Sequence, residues 1–474
     1  MLFSFIIIQI NTLCLRSVTI CFKYYIILEK NRVPRYSFVL IAKNELQIFL
    51  ILNEMKKILM QLSGLIMIVL LFIPAEQAFS QAEKGFYTIS GTVKERGSQK
   101  NLEYSVVALK GSNVGTIANS NGEFSIKIKK GSTAVAVVFS HLGYSNAELQ
   151  LDGDDKNNIV IYLDTKSSLL DPVTMIGMDG RSIVELALEK VEKNYSSKNG
   201  TLSGFYRETV KKRRSYINVS EAIIEIYKTP YGDGIERDAV QVLKGRKLVS
   251  PDPKDTLMVK LLGGPNLSIY LDIVKNPDLI LSSENLSMYG FKLEESVMIG
   301  ERSHYVVSFY PQVIMPYALY YGKLFIDKES YLFSRAEYKL SMNDKNKATQ
   351  AILKRKPFGM HFKPEEISFL VTYRQVGNIA LLHYIKSEIN FRCDWKKRLF
   401  STSYSIVSES VITDARIDEA KRISGKLAFK DTYSLSDKMV NFTDENFWED
   451  YNIIEPEESL ENAVNKLRKA INKK

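Results

Sequence analysis

From Tyr87 onward the chain alternates short apolar runs with polar turns every eight to twelve residues, the period of an all-β sandwich. Seven strands are predicted: Tyr87–Lys94, Tyr104–Lys110, Gly115–Asn119, Glu123–Ile128, Ala134–Ser140, Ser145–Leu151 and Asn158–Leu163. Asn121-Gly122 separates two of them, and both residues tolerate positive φ, so a two-residue hairpin is expected there. Ala134–Ser140 is apolar at successive positions and reads as a central strand.

The period then changes. Ile183, Leu186, Ala187 and Val191 recur at helical spacing behind Ser182-Ile183-Val184-Glu185, a capping box, which predicts a helix over 182–194. Strand patterns resume at Gly204–Val210 and Tyr216–Tyr227, then at Ser287–Phe291, Glu295–Ile299, Tyr305–Tyr310, Tyr321–Asp327 and Tyr331–Leu340. Ile367–Val376, Ile379–Cys393 and Leu399–Val411 are long and joined by short turns, the pattern of an antiparallel meander. Asp255–Leu262 and Leu267–Asn276 read as short helices over one sheet face. Near the end, Pro456 with Glu455, Glu457 and Glu458 marks a helix start. Leu460, Val464, Leu467 and Ile471 form its narrow apolar stripe, and Phe447-Trp448 is expected to anchor this tail against the sheet.

The amino-terminal region follows a different rule. Met55-Lys56-Lys57, the apolar run Ile58–Ile73 and Ala78-Phe79-Ser80 have the order of a signal peptide, with cleavage expected between Ser80 and Gln81. The run is too short and too interrupted by Gln61 and Ser63 to span a bilayer, which takes roughly 20 apolar residues. Residues 1–54 show no clean period and read as a mis-annotated upstream segment, with translation starting at Met55. The expected organisation is therefore 55–80 signal peptide, 86–165 sandwich, 166–181 linker, 182–445 sheet domain with short helices, and 446–474 docking helix. The fold class is mainly β: a seven-stranded β-sandwich followed by an α+β domain with a large antiparallel sheet and covering helices.

Composition adds limits. At 45% hydrophobic and 25% charged residues, the chain is of folded, globular type, and 26 Tyr with 23 Phe favour strands. The formal charge is +10, of which +6 remains after residue 80, spread along the chain, and no nucleic-acid role is expected. Cys14 and Cys21 lie upstream of the leader and Cys393 stands alone after it, which excludes an internal disulfide framework and a cysteine zinc site from the exported part.

Several stretches of the first module carry a resemblance. Ile89–Val93, Ser105–Asn113, Gly115-Thr116, Asn121–Ile126 and Phe139–Tyr144 are similar to the carboxypeptidase regulatory-like domain, a transthyretin-like sandwich. That module is common at the front of TonB-dependent outer-membrane receptors, and Leu170–Gly177 resembles the segment following it there. The helix expected at 182–194 replaces the receptor plug, and too few residues follow for a 22-strand barrel, so a receptor is excluded. The resemblance implies a folding or binding module, without catalytic residues. Metallocarboxypeptidases need a His-x-x-Glu pair, and none of His141, His304, His361 and His383 has Glu three residues later. The second domain resembles the half-open barrel of periplasmic lipoprotein carriers through Tyr321–Asp327 and Tyr331–Tyr338, which implies an aromatic sheet face with a cavity for an apolar ligand such as lipid.

The remaining candidates are weak. The basic turns Lys211-Lys212-Arg213-Arg214, Lys354–Lys356 and Lys396-Lys397-Arg398 are ordinary solvated turns, unless one rim gathers them towards anionic phospholipid or lipopolysaccharide. Asp152-Gly153-Asp154-Asp155 fits no EF-hand spacing and reads as a turn. Glu294-Glu295 and Glu365-Glu366 are adjacent and would point to opposite strand faces. A hydrolase would need His361 and His383 brought together with a carboxylate; otherwise both are structural. The sequence therefore predicts an exported, periplasmic or outer-membrane-associated protein without cofactor or metal, non-enzymatic, binding lipid or an envelope protein. A scaffold or chaperone for an outer-membrane complex is the alternative.

Overall fold

The computed structural model describes residues 85–166, 179–252, 262–352, 359–395, 401–441, 447–449 and 451–472, and isolated helical positions between Gln47 and Gln61. Met1–Glu83 and Lys84–Lys474 form two separate units, and all that follows concerns the second. Ser80, Gln81, Lys396, Lys397, Arg398, Lys354–Lys356 and Asp255–Leu261 lie outside the described residues.

The first module is a sandwich of two small sheets. Strands β1 (Phe86–Glu95), β4 (Glu123–Lys129) and β7 (Lys156–Leu163) make one, in the order β4-β1-β7. Strands β2 (Val106–Leu109), β3 (Gly115–Ile117), β5 (Ala136–Ser140) and β6 (Ala147–Gln150) make the other, in the order β3-β2-β5-β6. Alternation decides the packing: Phe124, Ile126 and Ile128 of β4 point inward while Lys127 points out, and Phe124 meets Phe139 edge to face at 5.0 Å. The expected Asn121-Gly122 hairpin is corrected. β3 and β4 belong to different sheets, so this turn is the corner where the chain changes layer. Gly122 has φ +74°, and a Cβ there would lie 2.9 Å from the Val93 carbonyl oxygen.

Helix α1 (Gly180–Glu189) begins earlier than the capping box suggested. Its cap is Asp179, whose carboxylate accepts from the Ser182 amide at 2.8 Å, and a second turn, α2 (Val191–Asn194), follows a break at Lys190.

The second module is built on one sheet. Its strands are β8 (Gly200–Lys212), β9 (Ser215–Lys228), β10 (Ala239–Val249), β11 (Tyr289–Ile299), β12 (Arg302–Pro311), β13 (Tyr320–Asp327), β14 (Phe333–Leu340), β15 (Met360–Val376), β16 (Ile379–Trp395), β17 (Thr402–Ile417) and β18 (Val440–Asn441). Their order is β11-β12-β13-β14-β15-β16-β17-β8-β9-β10-β18, antiparallel throughout except for the two-residue β18. β10 escaped the sequence reading. Its Lys244-Gly245-Arg246-Lys247 core breaks the apolar run, and its outer face is salt-bridged instead of greasy.

One face of this sheet, the inner one, is filled by the chain itself. The segment from Gly264 to Leu286 holds two short helices, α3 (Leu267–Tyr270) and α4 (Ser283–Leu286). Its Ile273, Val274, Ile280 and Leu281 are buried in the same core as Tyr206, Ile224, Leu324, Phe333 and Tyr338 of the sheet. A polar clamp ties the insert down. Asp272 ion-pairs with Lys228 at 2.7 Å and accepts from the hydroxyls of Tyr231 (3.0 Å) and Tyr373 (2.6 Å). Lys275 donates to Thr229 Oγ1 at 2.9 Å and to the Asp233 carbonyl at 2.8 Å. The greasy concave face expected for an acyl chain is thus occupied by residues 264–286, because burying them satisfies the same hydrophobic surface. Helix α5 (Lys345–Ile352) closes a second apolar cluster with Phe362, Phe391 and Ile406.

Candidate functional site

The outer face carries the chemistry. Strand register aligns Lys323, Glu337, Leu370, Lys386, Glu409, Arg207, Glu221 and Arg246 directly opposite one another on eight successive strands. Opposite charges facing each other across strands stabilise pairing, so this is a cross-strand ladder broken only at Leu370. The row nearer the β13 start reads Tyr321, Lys339, Ser368, Glu388, Val407, Thr209, Val219 and Leu248.

Over β8–β10 the ladder is buried under the tail. Glu221 accepts from Arg207 Nε and Arg246 Nε, each at 2.8 Å. Burial alone would raise the Glu221 pKa, but the two guanidinium groups outweigh it and hold it below the usual carboxylate value. Arg207 Nη2 also donates to the Ile454 carbonyl at 2.7 Å, while Trp448 packs edge-on against Phe205 at 5.3 Å and under the Arg246 guanidinium at 4.6 Å. The tail is bonded to the sandwich as well: Thr116 Oγ1 donates to the Ile453 carbonyl at 3.1 Å and the Lys127 amide to Asn452 Oδ1 at 2.6 Å. It then enters helix α7 (Glu458–Asn472), preceded in chain order by the single turn α6 (Leu435–Lys438); Leu460, Val464 and Leu467 of α7 cover Val219 and Leu248.

Next to this strap the sandwich docks on β16 and β17. Tyr104 stacks on Tyr384 at 5.9 Å and accepts from Lys386 Nζ at 2.8 Å; Arg374 donates to the carbonyls of Ser112 (3.1 Å) and Asn113 (2.6 Å). A second contact pairs Leu142 with Ile299 at the β11–β12 turn. Between these contacts a groove of about 590 Å³ stays open over β12–β16, walled by Glu103 and Tyr104 of the sandwich. Its floor is the uncovered half of the ladder: Lys323, Arg335, Glu337, Lys339, Lys386 and Glu388, with Tyr310 and Tyr321 half exposed at one end. The charges are mutually engaged, Arg335 with Glu337 at 2.6 Å and Lys386 near Glu388 at 3.5 Å. Burial lifts the Tyr104 hydroxyl to about 12 against the pull of Lys386; the Lys386 ammonium is held above its usual value by Tyr104, Glu409 and Glu388 despite its own burial.

The residues singled out from sequence fall elsewhere. Lys211, Lys212, Arg213 and Arg214 form the β8–β9 turn at one rim of the sheet, with Lys211 Nζ 4.3 Å above the Tyr216 ring. Trp395 and Thr402, the strand ends that bracket 396–398, stand at the same rim. His361 and His383 do not meet. His361 faces Asp394, eleven residues along β16 from His383, or about 36 Å at the usual strand rise. His383 is buried in a β-bulge beneath the sandwich, its pKa pushed down to about 3 by burial and by Arg374. Asp155 accepts from the Thr88 amide at 2.6 Å and Asp152 pairs with Lys156 at 2.5 Å, so the acidic run caps a turn. No cluster of three metal-ligating side chains occurs among the described residues. The groove residues were invisible to sequence reading because they are the solvent-side residues of separate strands, united only by register.

Comparison with known proteins bears on the first module. No curated protein matches the chain. A DUF1329 family protein from Desulfovibrio piger ATCC 29098 is a weak structural neighbour, with 10% identity and a TM-score of 0.23 over 51% of this chain and 95% of that one. Residues 89–175 match the family model of the CarboxypepD_reg-like domain. The sandwich of β1–β7 is therefore a carboxypeptidase regulatory-like domain, and the chain carries one at the front of its large sheet.

Proposed function

We propose that this is an exported, non-enzymatic binding protein of the bacterial envelope, periplasmic or outer-membrane associated, which holds an extended polypeptide segment of a partner in the groove between sandwich and sheet. The observation that carries this reading is the strap. On the same sheet face the protein already grips an extended segment, through Arg207 to the Ile454 carbonyl, Thr116 to the preceding carbonyl of Ile453, and an aromatic anchor at Trp448. The open half offers the same elements unoccupied by the tail: a ladder of alternating charges, half-exposed tyrosines and the sandwich edge as a wall. Charges of both signs in one row favour a mixed-charge peptide over a phosphate-rich or purely apolar ligand.

This moves the balance between the two readings of the sequence. An acyl chain on the inner face is disfavoured by the insert that fills it, and the partner-binding or scaffold alternative gains the groove. The leader pattern at Met55–Ser80 supports export, and the regulatory-like domain supports a docking role.

The test is an array of extended ten-residue peptides of varied charge pattern, probed with the protein and with its Lys323→Glu/Glu337→Lys variant. Binding concentrated on peptides of alternating charge, and re-ranked by the charge swap, is expected. Native mass spectrometry releasing a stoichiometric lipid, with no peptide preference in the array, would overturn the reading.

A further inference from the structure

The rim that carries the Lys211–Arg214 turn also carries the most exposed apolar loop among the described residues. Between β12 and β13 the sequence is Gln312-Val313-Ile314-Met315-Pro316-Tyr317-Ala318-Leu319, without a charge. Ile314 is 93% exposed, and Val313 and Tyr317 are 42% and 49% exposed. Single exposed apolar residues are ordinary, but three within five positions on an uncharged loop are not what a solvated turn requires. Register puts this loop and the basic turn at the same end of the sheet. Tyr320, where β13 starts, pairs with Leu340; Met360 pairs with Trp395; and Lys212 pairs with both Tyr404 and Ser215. Lys347 of α5 lines the shallow hollow under Ile314, beside Asp344, with which it pairs at 4.0 Å.

The opposite rim is a control within the same molecule. Its turns between neighbouring strands hold Asp233, Glu236, Asp238, Glu301 and Glu329 against Arg237 and Lys328. Its apolar side chains are turned into cores, as with Tyr231 and Leu332. One rim is thus basic with an apolar tip, the other acidic without one.

We propose that the basic rim rests on an anionic lipid bilayer surface, with Val313, Ile314 and Tyr317 entering the interfacial layer and Lys211–Arg214 facing the headgroups. An apolar tip supplies partitioning, an aromatic ring suits the interface, and clustered Lys and Arg are attracted to anionic lipid. The groove runs from the sandwich towards Tyr310 and Tyr321, the residues flanking this loop, so its end opens at the membrane-facing rim. The inference stands independently of what fills the groove, since it uses none of the groove's charges.

The test is co-sedimentation of the exported chain with vesicles of phosphatidylglycerol and phosphatidylcholine in equal parts, and with phosphatidylcholine alone. Binding is expected to the mixed vesicles, to weaken with added salt, and to fall about fivefold for each charge removed in Arg213→Ala and Arg214→Ala. Ile314→Asp should abolish it at low salt while leaving Tm unchanged, because the side chain has almost nothing to lose in the folded protein. Asp233→Ala, at the opposite rim, should leave binding as it is. Equal binding to neutral vesicles, indifference to both rim variants, or a sedimentation dimer that Ile314→Asp dissolves would each overturn the proposal, the last by assigning the loop to a second copy.

Discussion

The outer face of the sheet is one surface with two halves. Three register rows cross it, and over β8–β10 they read Phe205–Ile223–Lys244, Arg207–Glu221–Arg246 and Thr209–Val219–Leu248, largely apolar rows flanking a buried salt bridge. Over β13–β16 the same rows continue as Phe325–Arg335–Thr372–Tyr384, Lys323–Glu337–Leu370–Lys386 and Tyr321–Lys339–Ser368–Glu388. The first half is covered by residues 447–472 and the second, beyond the edge of the sandwich, is open. The difference lies in what each row would lose. Apolar rows must be covered to leave water, and once covered their central charges have to be paired. Charged rows keep their hydration and can stay bare at little cost, which leaves them free for a partner.

The largest effect is expected where the covered half has spent its charges. Glu221→Ala leaves Arg207 and Arg246 buried without their carboxylate, and should lower stability by about 3–5 kcal/mol in urea unfolding. A loss below about 1 kcal/mol would mean that the strap does not exclude water there, and the two halves would cease to differ. The Glu221 pKa is depressed in the folded state, so its share of stability is present above the usual 4.5 and disappears as pH falls through the folded value. Unfolding midpoints between pH 3 and pH 6 read that loss, and the variant should show a flatter profile.

Trp448→Ala comes next, at about 3 kcal/mol, because the ring is buried between Phe205 and Arg246. Hydrogen exchange should then quicken at 451–455 while β15 and β16 keep their protection. Equal loosening across the whole sheet would show that the strap stabilises more than its own half.

Glu208 sharpens the contrast from the other side of β8. Neighbour in sequence to Arg207 but facing inward, it pairs with no cation among the described residues; burial raises its pKa to about 8, with the Tyr206 hydroxyl 3.5 Å away as its hydrogen-bond partner. The sign is opposite to that of Glu221: the unfolded carboxyl releases its proton near 4.5 and the folded one near 8, so stability falls as pH rises through that window. Glu208→Gln should remove the slope and stabilise the protein at pH 7 by up to roughly 3 kcal/mol. An unchanged profile would place an ionised carboxylate on the inner face.

How much of this could be read along the chain depends on whether the signal is local. The sandwich could be read, since β4 carries its Phe124, Ile126, Ile128 alternation within seven residues. Phe447-Trp448 could be recognised as an anchor because two large rings near a helix start have few other uses, and Trp448 is buried against Phe205. The ladder could not. Lys323 and Glu337 become neighbours only through the register of their hairpin, and Glu409 meets Arg207 only because β17 pairs with β8, about two hundred residues earlier; each alone is an unremarkable solvent-side charge. The inner face misled for the same reason: its aromatic strands suit a ligand cavity or a self-filling insert equally well, and Leu267–Asn276, read as a helix laid over the sheet, gave no sign that its Asp272 would tie the insert in.

The smallest effect on stability belongs to the open half, and it is the most discriminating. Lys323 is exposed on the groove floor and Glu337 is partly so, paired with Arg335, and exposed pairs are worth well under about 1 kcal/mol. Exchanging their signs as Lys323→Glu/Glu337→Lys keeps opposite charges on this pair, gives up the exposed Arg335–Glu337 contact, and should shift the unfolding free energy by no more than about 1 kcal/mol. The same exchange at Arg207 and Glu221 inverts a buried pair, strands the Ile454 carbonyl without its donor and should unfold the strap. If the two exchanges cost the same, the ladder is structural from end to end and the groove is only a gap between modules. If the first is silent in stability yet changes which peptides bind, the open half is a surface kept bare for recognition.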